Sequence, residues 1–306
     1  MSLAPVIPPL CPALSIPRSA ATLLAATIVR ATTSDKNMIP RLYLPVDLAI
    51  GNDVPADDRA VHYLRNVMRR QPGDPVVLFN GRDGEFTAEI AKIGKRGAAL
   101  RVKALRRPQA GVPDIWLCFA PLKKDATDFL IEKATELGVA AFQPVITRHT
   151  TSTRLNLDRL AANAIEAAEQ TERLTLPAIH PPQSLAELLQ RWSPQRRLIL
   201  CAEAGPALPI AEALSAFKTS VTFSNSPYDQ WAILCGPEGG FARSELDQIS
   251  NLPFVTPVGL GPRILRADTA ALTALAVFQS ILGDGAQRPP APLVPIGQPA
   301  DPAAPD

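Results

Sequence analysis

Two different spacings of apolar positions run along this chain. From Arg41 to about Arg107 the apolar runs are short, as in VVLF and FTAEI. Turn-forming clusters separate them at Pro72-Gly73-Asp74, Asn80-Gly81 and Asp83-Gly84. Short runs bounded by such clusters predict a small β-rich module. From Ile115 onward the pattern changes. Continuous apolar runs (IWLCFA, AAFQPVIT, LILCAE, WAILCG, PFVTPVGL) alternate with helical periodicity over about Lys124 to Leu137, Asn156 to Arg173 and Asp268 to Leu282. Strands that are apolar throughout, alternating with helices, predict a parallel α/β sheet covered on both faces. The boundary between the modules falls in RRPQAGVPD, residues 106 to 114.

Composition refines this picture. The 306 residues are 46% hydrophobic and 20% charged, values of a globular protein rather than a disordered one. Proline is the exception, at 32 residues, of which 12 lie in the 59 residues formed by positions 1 to 37 and 285 to 306. Residues 1 to 37 therefore read as an unstructured extension, with Met38 opening the folded protein, and 285 to 306 as a disordered Pro-rich tail. The apolar stretch Ala20 to Val29 is too short for a membrane span. Charge is also uneven. Residues 38 to 110 carry 13 Lys and Arg against 8 Asp and Glu, whereas residues 111 to 284 carry 14 against 18. A basic module ahead of an acidic one hints at nucleic-acid contact, although a solvated basic face would give the same count.

Candidate chemistry sits in loops. Cys118, Cys201 and Cys235 lie inside apolar runs without CxxC spacing, and His62, His149 and His180 are scattered, so no metal centre is expected. Such thiols suit a reducing compartment. In a parallel sheet, ligands bind beyond the carboxyl ends of the strands. Three strand ends carry glycine-containing loops: Ala202-Glu203-Ala204-Gly205, Gly236-Pro237-Glu238-Gly239-Gly240 and Gly259-Leu260-Gly261-Pro262. GPEGGFARS lacks the Gly-Lys-Ser/Thr ending of a phosphate loop, and GLGPRI has Ile264 where a dinucleotide fingerprint needs its third glycine. Neither a GxSxG elbow nor an HExxH helix is present.

LCGPEGGF (234 to 241) followed by GLGPRILRADTAAL (259 to 272) resembles the paired signature of SPOUT-class methyltransferases, specifically the ribosomal RNA small subunit methyltransferase E family. RLYLP, HYLRNVMR, GDPVVLFNG, EKATELGV and EAAEQTER extend the match over residues 41 to about 283. The resemblance implies a PUA-like β-barrel that binds RNA at 38 to 110. It also implies an α/β domain with a deep trefoil knot at 111 to 284 that holds S-adenosylmethionine. Family members act as cytoplasmic homodimers, without metal or membrane, on N3 of one uridine in 16S ribosomal RNA of the small subunit. Two readings stay open beside this one: another SPOUT enzyme acting on a ribose hydroxyl or transfer RNA, and a non-catalytic RNA-binding protein.

On this resemblance the cofactor is held by Ala202, Glu203, Gly236, Pro237, Glu238, Gly239, Gly240, Gly259, Leu260, Gly261, Ile264, Leu265, Arg266 and Thr269. Arg266, Glu238 and Asp268 are the catalytic candidates. Arg266 suits a substrate phosphate or a developing uracil anion, or else a structural partner for Asp268, which itself suits the first turn of the last helix. Arg41, Arg65, Arg69, Arg70 and Arg82 are candidate phosphate contacts. Arg173, at i+7 from Glu166 and i+3 from Gln170, extends a helix face towards RNA or a second subunit. This chain departs from the family in two places: Asp268 stands where Glu is usual, and Ala242 where a Ser helix cap is common.

Overall fold

A computed structural model describes residues 39–95, 97–202, 207–219 and 230–289. The expected N-terminal extension, the tail from residue 290 and Glu203 lie outside the described residues.

The basic module is a five-stranded sheet. Its strands are β1 (Arg41–Tyr43), β2 (Asp53–Ala56), β3 (Pro75–Phe79), β4 (Glu85–Gly94) and β5 (Gly97–Arg107), in the order β1-β3-β4-β5-β2. Only the β1–β3 pair is parallel. The β4–β5 ladder carries three register shifts, which bend it about an apolar core that includes Leu42, Val76, Leu78, Ile90, Leu100 and Val102. Between β2 and β3, helix α1 (Asp58–His62), capped by Asp57 Oδ1 accepting from the Ala60 amide, runs directly into a π-helical turn at Tyr63–Val67.

The second module is an eight-stranded parallel sheet. Strands β6 (Ile115–Phe119), β7 (Ala141–Ile146), β8 (Ala178–Ile179), β10 (Arg197–Cys201), β11 (Leu208–Pro209), β12 (Trp231–Cys235) and β13 (Val255–Gly259) run in the order β11-β13-β10-β12-β6-β7-β8, and β9 (Gln183–Ser184) also pairs with β7. The two-residue period of a strand divides each apolar run between two cores. Trp231, Ile233 and Cys235 of β12 face α2 (Lys124–Glu136), α3 (Leu157–Gln170), α5 (Ile210–Thr219) and α7 (Ala267–Ile281). Ala232 and Leu234 face the other way, towards α4 (Leu185–Gln190) and α6 (Arg243–Ser250). The expected α/β sheet with both faces covered is what forms. Helices α4 and α5 were not anticipated from the sequence, because each is short and adds only two or three buried residues to its core, whereas α6 starts after Ala242, where a helix cap was expected.

A buried ionic cluster joins the modules. Arg41 Nε donates to Glu85 at 2.7 Å, while its two terminal nitrogens donate to the carbonyls of Ala168 (2.6 Å) and Arg173 (2.7 Å) at the end of α3. Arg107 donates to both Glu85 oxygens, at 2.9 and 2.6 Å, and to the Glu172 carbonyl at 2.8 Å; Arg106 also pairs with Glu85. These cationic donors gather where the helix dipole is negative, on the Ala168 carbonyl, which also accepts the Arg173 amide at 3.2 Å, and on the carbonyls of Glu172 and Arg173 just beyond the helix. Alongside, Arg59 forks onto Glu169 at 2.7 and 2.9 Å, and Glu169 accepts the Tyr43 amide at 2.8 Å.

This geometry corrects two expectations. Arg41 is not a phosphate contact, because it is buried and its donors are committed within the junction. Arg173 does not continue a helix face. Helix α3 ends at Gln170, Glu172 adopts φ 57°, and the chain reverses so that Arg173 turns inward to the carbonyls of Thr135 (2.9 Å) and Val139 (2.6 Å). Burial draws the Arg173 guanidinium down to about 10, which still leaves it charged at neutral pH.

Burial pushes the Glu85 carboxyl up, but hydrogen bonds from Arg107, Arg41 and Arg106 outweigh it and leave the group below the ordinary carboxylate range. Its ionised form therefore favours the folded state. That contribution is complete above the unfolded carboxyl value of about 4.3 and fades as pH falls through the lower folded value. Replacing Glu85 by Gln should cost about 3 kcal/mol in denaturant unfolding at pH 7, because three guanidinium groups lose their counter-charge. The difference between wild type and variant should shrink as the pH is lowered below 4.

Candidate active site

Parallel pairing in register brings three strand ends to one level. Leu200 of β10 lies opposite Leu234 of β12, and Cys201 opposite Val258 of β13. The loops that follow therefore converge on a single cavity of about 550 Å³. It is lined by Ala202, by Gly236 to Gly240 and by Gly259, Leu260, Gly261, Ile264, Leu265 and Arg266, all expected at the site. Two expected residues are not on its wall. Asp268 Oδ1 accepts the Thr269 amide at 2.7 Å and lies 3.3 Å from its hydroxyl, so the two close on one another at the first turn of α7. Among the described residues Asp268 forms no ion pair with Arg266.

The cavity also has contributors that sequence reasoning left out. Cys201 and Cys235 lie on its wall, with Phe241, Leu246 and Ala270. The Cys235 thiol is held well above the ordinary thiol value, first by its hydrogen bond with Cys201 and then by burial, so it acts as a neutral, compact surface. Being the last residue of an apolar strand just before a glycine loop is the signal that points to both cysteines.

Local geometry explains the glycines. Gly240 (φ 67°) closes a turn in which its amide donates to Pro237 at 2.9 Å, and Gly261 has φ 104°. A Cβ on Gly236 would meet the Phe241 ring at 2.9 Å. Helix α6 starts without a side-chain acceptor at Ala242. Glu245 supplies the reciprocal half of the cap, accepting the Ala242 amide at 2.9 Å and, with its other oxygen, the Arg148 amide at 2.9 Å.

Three features make the cavity a ligand site. Its volume falls in the range of small-molecule pockets. Among the described residues, the amides of Gly261, Arg263, Ile264 and Leu265, all residues of the cavity wall, meet no acceptor. At the rim, Glu238 and Arg266 are exposed, and the Arg266 guanidinium has no hydrogen-bond or ion-pair partner among the described residues. A wider hollow of about 760 Å³ opens near the opposite strand ends, beside Trp116, His180, Trp192 and Arg196. Its aromatic faces are already engaged. Arg196 lies 3.9 Å over Trp116, which also packs on His180, and Trp192 stacks on Phe254.

Residues 109–279 match the model of an RNA methyltransferase domain, and residues 56–103 that of an RNA methyltransferase PUA domain. A ribosomal RNA small subunit methyltransferase E of Rickettsia conorii is 36% identical over 237 residues, covering 77% of this chain and 93% of that protein. The chain belongs to the ribosomal RNA small subunit methyltransferase E family. A member from Neisseria gonorrhoeae, solved bound to S-adenosyl methionine, is 30% identical with a TM-score of 0.69, covering 81% of this chain and 99% of that one. A putative methyltransferase from Legionella pneumophila, solved with the bound cofactor SAM, is 28% identical with the same TM-score and coverage.

The residues present fit that cofactor. Glycines let its adenosyl and methionyl parts approach the backbone, unpaired amides offer donors, and Leu260 and Leu265 provide apolar wall. Among the described residues no cluster of three or more His, Cys, Asp or Glu could hold a metal ion, and no helix is long and apolar enough to cross a membrane.

Substituting Gly236 by Ala tests the cavity directly. Gly236 does not need positive φ, so the new methyl group acts by displacing the Phe241 ring. Cofactor affinity measured by calorimetry should fall at least tenfold, while the unfolding free energy changes by about 1 kcal/mol.

Proposed function

We propose that this protein transfers the methyl group of S-adenosylmethionine to N3 of a specific uridine in 16S ribosomal RNA, acting on the small subunit. The single observation that carries the reading is a glycine-lined cavity with Arg266 and Glu238 at its mouth. The cofactor supplies an electrophilic methyl group on a sulfonium. The protein must hold that methyl in line with N3, accept the N3 proton and exclude competing water.

Each task has residues in place. The amides of Gly261, Arg263, Ile264 and Leu265 and the Gly236 to Gly240 turn hold the cofactor. Arg266, at the N-cap of α7 with an uncommitted guanidinium, binds an RNA phosphate or steadies negative charge as the uracil loses its proton. Glu238 is the carboxylate on the cavity wall, and its roles are to balance the sulfonium and to take the N3 proton. Asp268 acts at one remove, through Thr269 and the start of α7. RNA approaches over the basic module through Arg65, Arg69 and Arg82, all exposed, and the half-buried Arg70. Arg65 lies on the π-helical turn, and Arg69 follows it with φ 52°. As the resemblance implies, we take the working form to be a cytoplasmic homodimer whose cofactor loop, 259 to 266, belongs to a deep trefoil knot.

Small subunits lacking the modification, incubated with the protein and labelled cofactor, should gain one methyl group, mapped to a uridine N3. A 2′-O-methyl product, or methylation of transfer RNA alone, would replace this reading by another SPOUT activity. Arg266→Ala should lower kcat about a hundredfold with cofactor affinity nearly unchanged. Exchanging Arg65 or Arg82 for Ala should weaken RNA binding and reduce the slope of log affinity against log salt by about 1 each.

A further inference from the structure

Strand β7 ends in a tight turn over Thr147 to Thr150. The Thr150 amide donates to the Thr147 carbonyl at 3.1 Å, and Thr150 Oγ1 accepts the Thr147 amide at 2.9 Å. This turn presents His149 to the Gly236–Gly240 loop, although their strands are separated in the sheet by β6. His149 Nδ1 lies 3.0 Å from the Gly239 carbonyl oxygen and 3.2 Å from that of Gly240. Carbonyls only accept, so Nδ1 must carry the proton and donate to both. The approach is close: a Cβ on Gly239 would sit 3.3 Å from the His149 Cβ. Next to this contact, Glu245 ties the Arg148 amide to the Ala242 amide, at 2.9 Å each.

We infer that His149 is a positioning residue for the cofactor loop, its Nδ1–H clamping the Gly239 and Gly240 carbonyls so that the turn holds its shape before the cofactor arrives. With both carbonyls held on the side of the β7 turn, the Gly236–Gly240 backbone is fixed in its orientation at the cavity. Without the clamp, the loop must be ordered at the expense of binding free energy. The clamp rests on the methyltransferase reading, because it assigns the loop to S-adenosylmethionine.

The test compares His149→Leu, which removes the donor, with His149→Asn, whose side-chain amide can donate from near the Nδ1 position. In the cofactor-free protein, His149→Leu should speed hydrogen exchange at the amides of Gly239 to Ala242 with little change elsewhere. Its dissociation constant for S-adenosylmethionine, and its KM in small-subunit methylation, should rise five- to tenfold, while kcat at saturating cofactor stays within about twofold. His149→Asn should recover most of the affinity. Wild-type binding with an unchanged constant in His149→Leu would overturn the clamp, as would an Asn variant no better than Leu, which assigns the effect to lost packing. Absence of cofactor binding by the wild type would instead overturn the methyltransferase reading.

Discussion

The site depends on one constraint, the in-register parallel pairing of β10 with β12 and β13. Because these strands run the same way and their ladders finish at one level, the backbone leaves the sheet three times within a small area. Strands buried on both faces cannot slip by one residue without exchanging the two cores, so packing fixes that register. The cavity is the consequence. Most of its wall is made of the turns themselves, with Cys201 and Cys235 from the strand ends and Leu246 and Ala270 from the flanking helices completing it.

A second constraint orients the basic module. Glu85 gathers Arg41, Arg106 and Arg107, and Arg41 and Arg107 continue to the carbonyls at the end of α3. Each of these interactions links positions far apart in sequence. Because the carbonyl contacts are directional, they fix the angle between the five-stranded sheet and α3 more tightly than apolar contact alone would. For an RNA methyltransferase, which must bring one base to one methyl group, a fixed angle between the two modules serves the positioning of the substrate.

Much of this was legible in the sequence. Apolar runs such as WAILCG and LILCAE announced buried strands, and the glycines after them announced loops that admit a ligand. What was not legible came from pairing across distance. Arg41 and Arg173 were counted as surface charge because composition cannot distinguish an arginine facing solvent from one whose acceptors lie 127 or 34 residues away. Thr269 looked like part of the cofactor motif, yet its polar groups close onto Asp268. His149 gave no signal, since its partners are 90 residues distant. Ala242 was recognised as a helix start without a cap, and Glu245, three residues on, proved to be the group that fills part of that role.

The central claim is that the convergent loops form the cofactor site. A crystal structure of the protein grown with S-adenosylmethionine tests it most directly. The account predicts cofactor density between the Gly236–Gly240 turn and the Gly259–Arg266 segment, with amides of the latter donating to it. Cofactor seated instead in the hollow beside Trp116 and Trp192, or crystals that exclude it from the convergent loops at saturating concentration, would contradict the account.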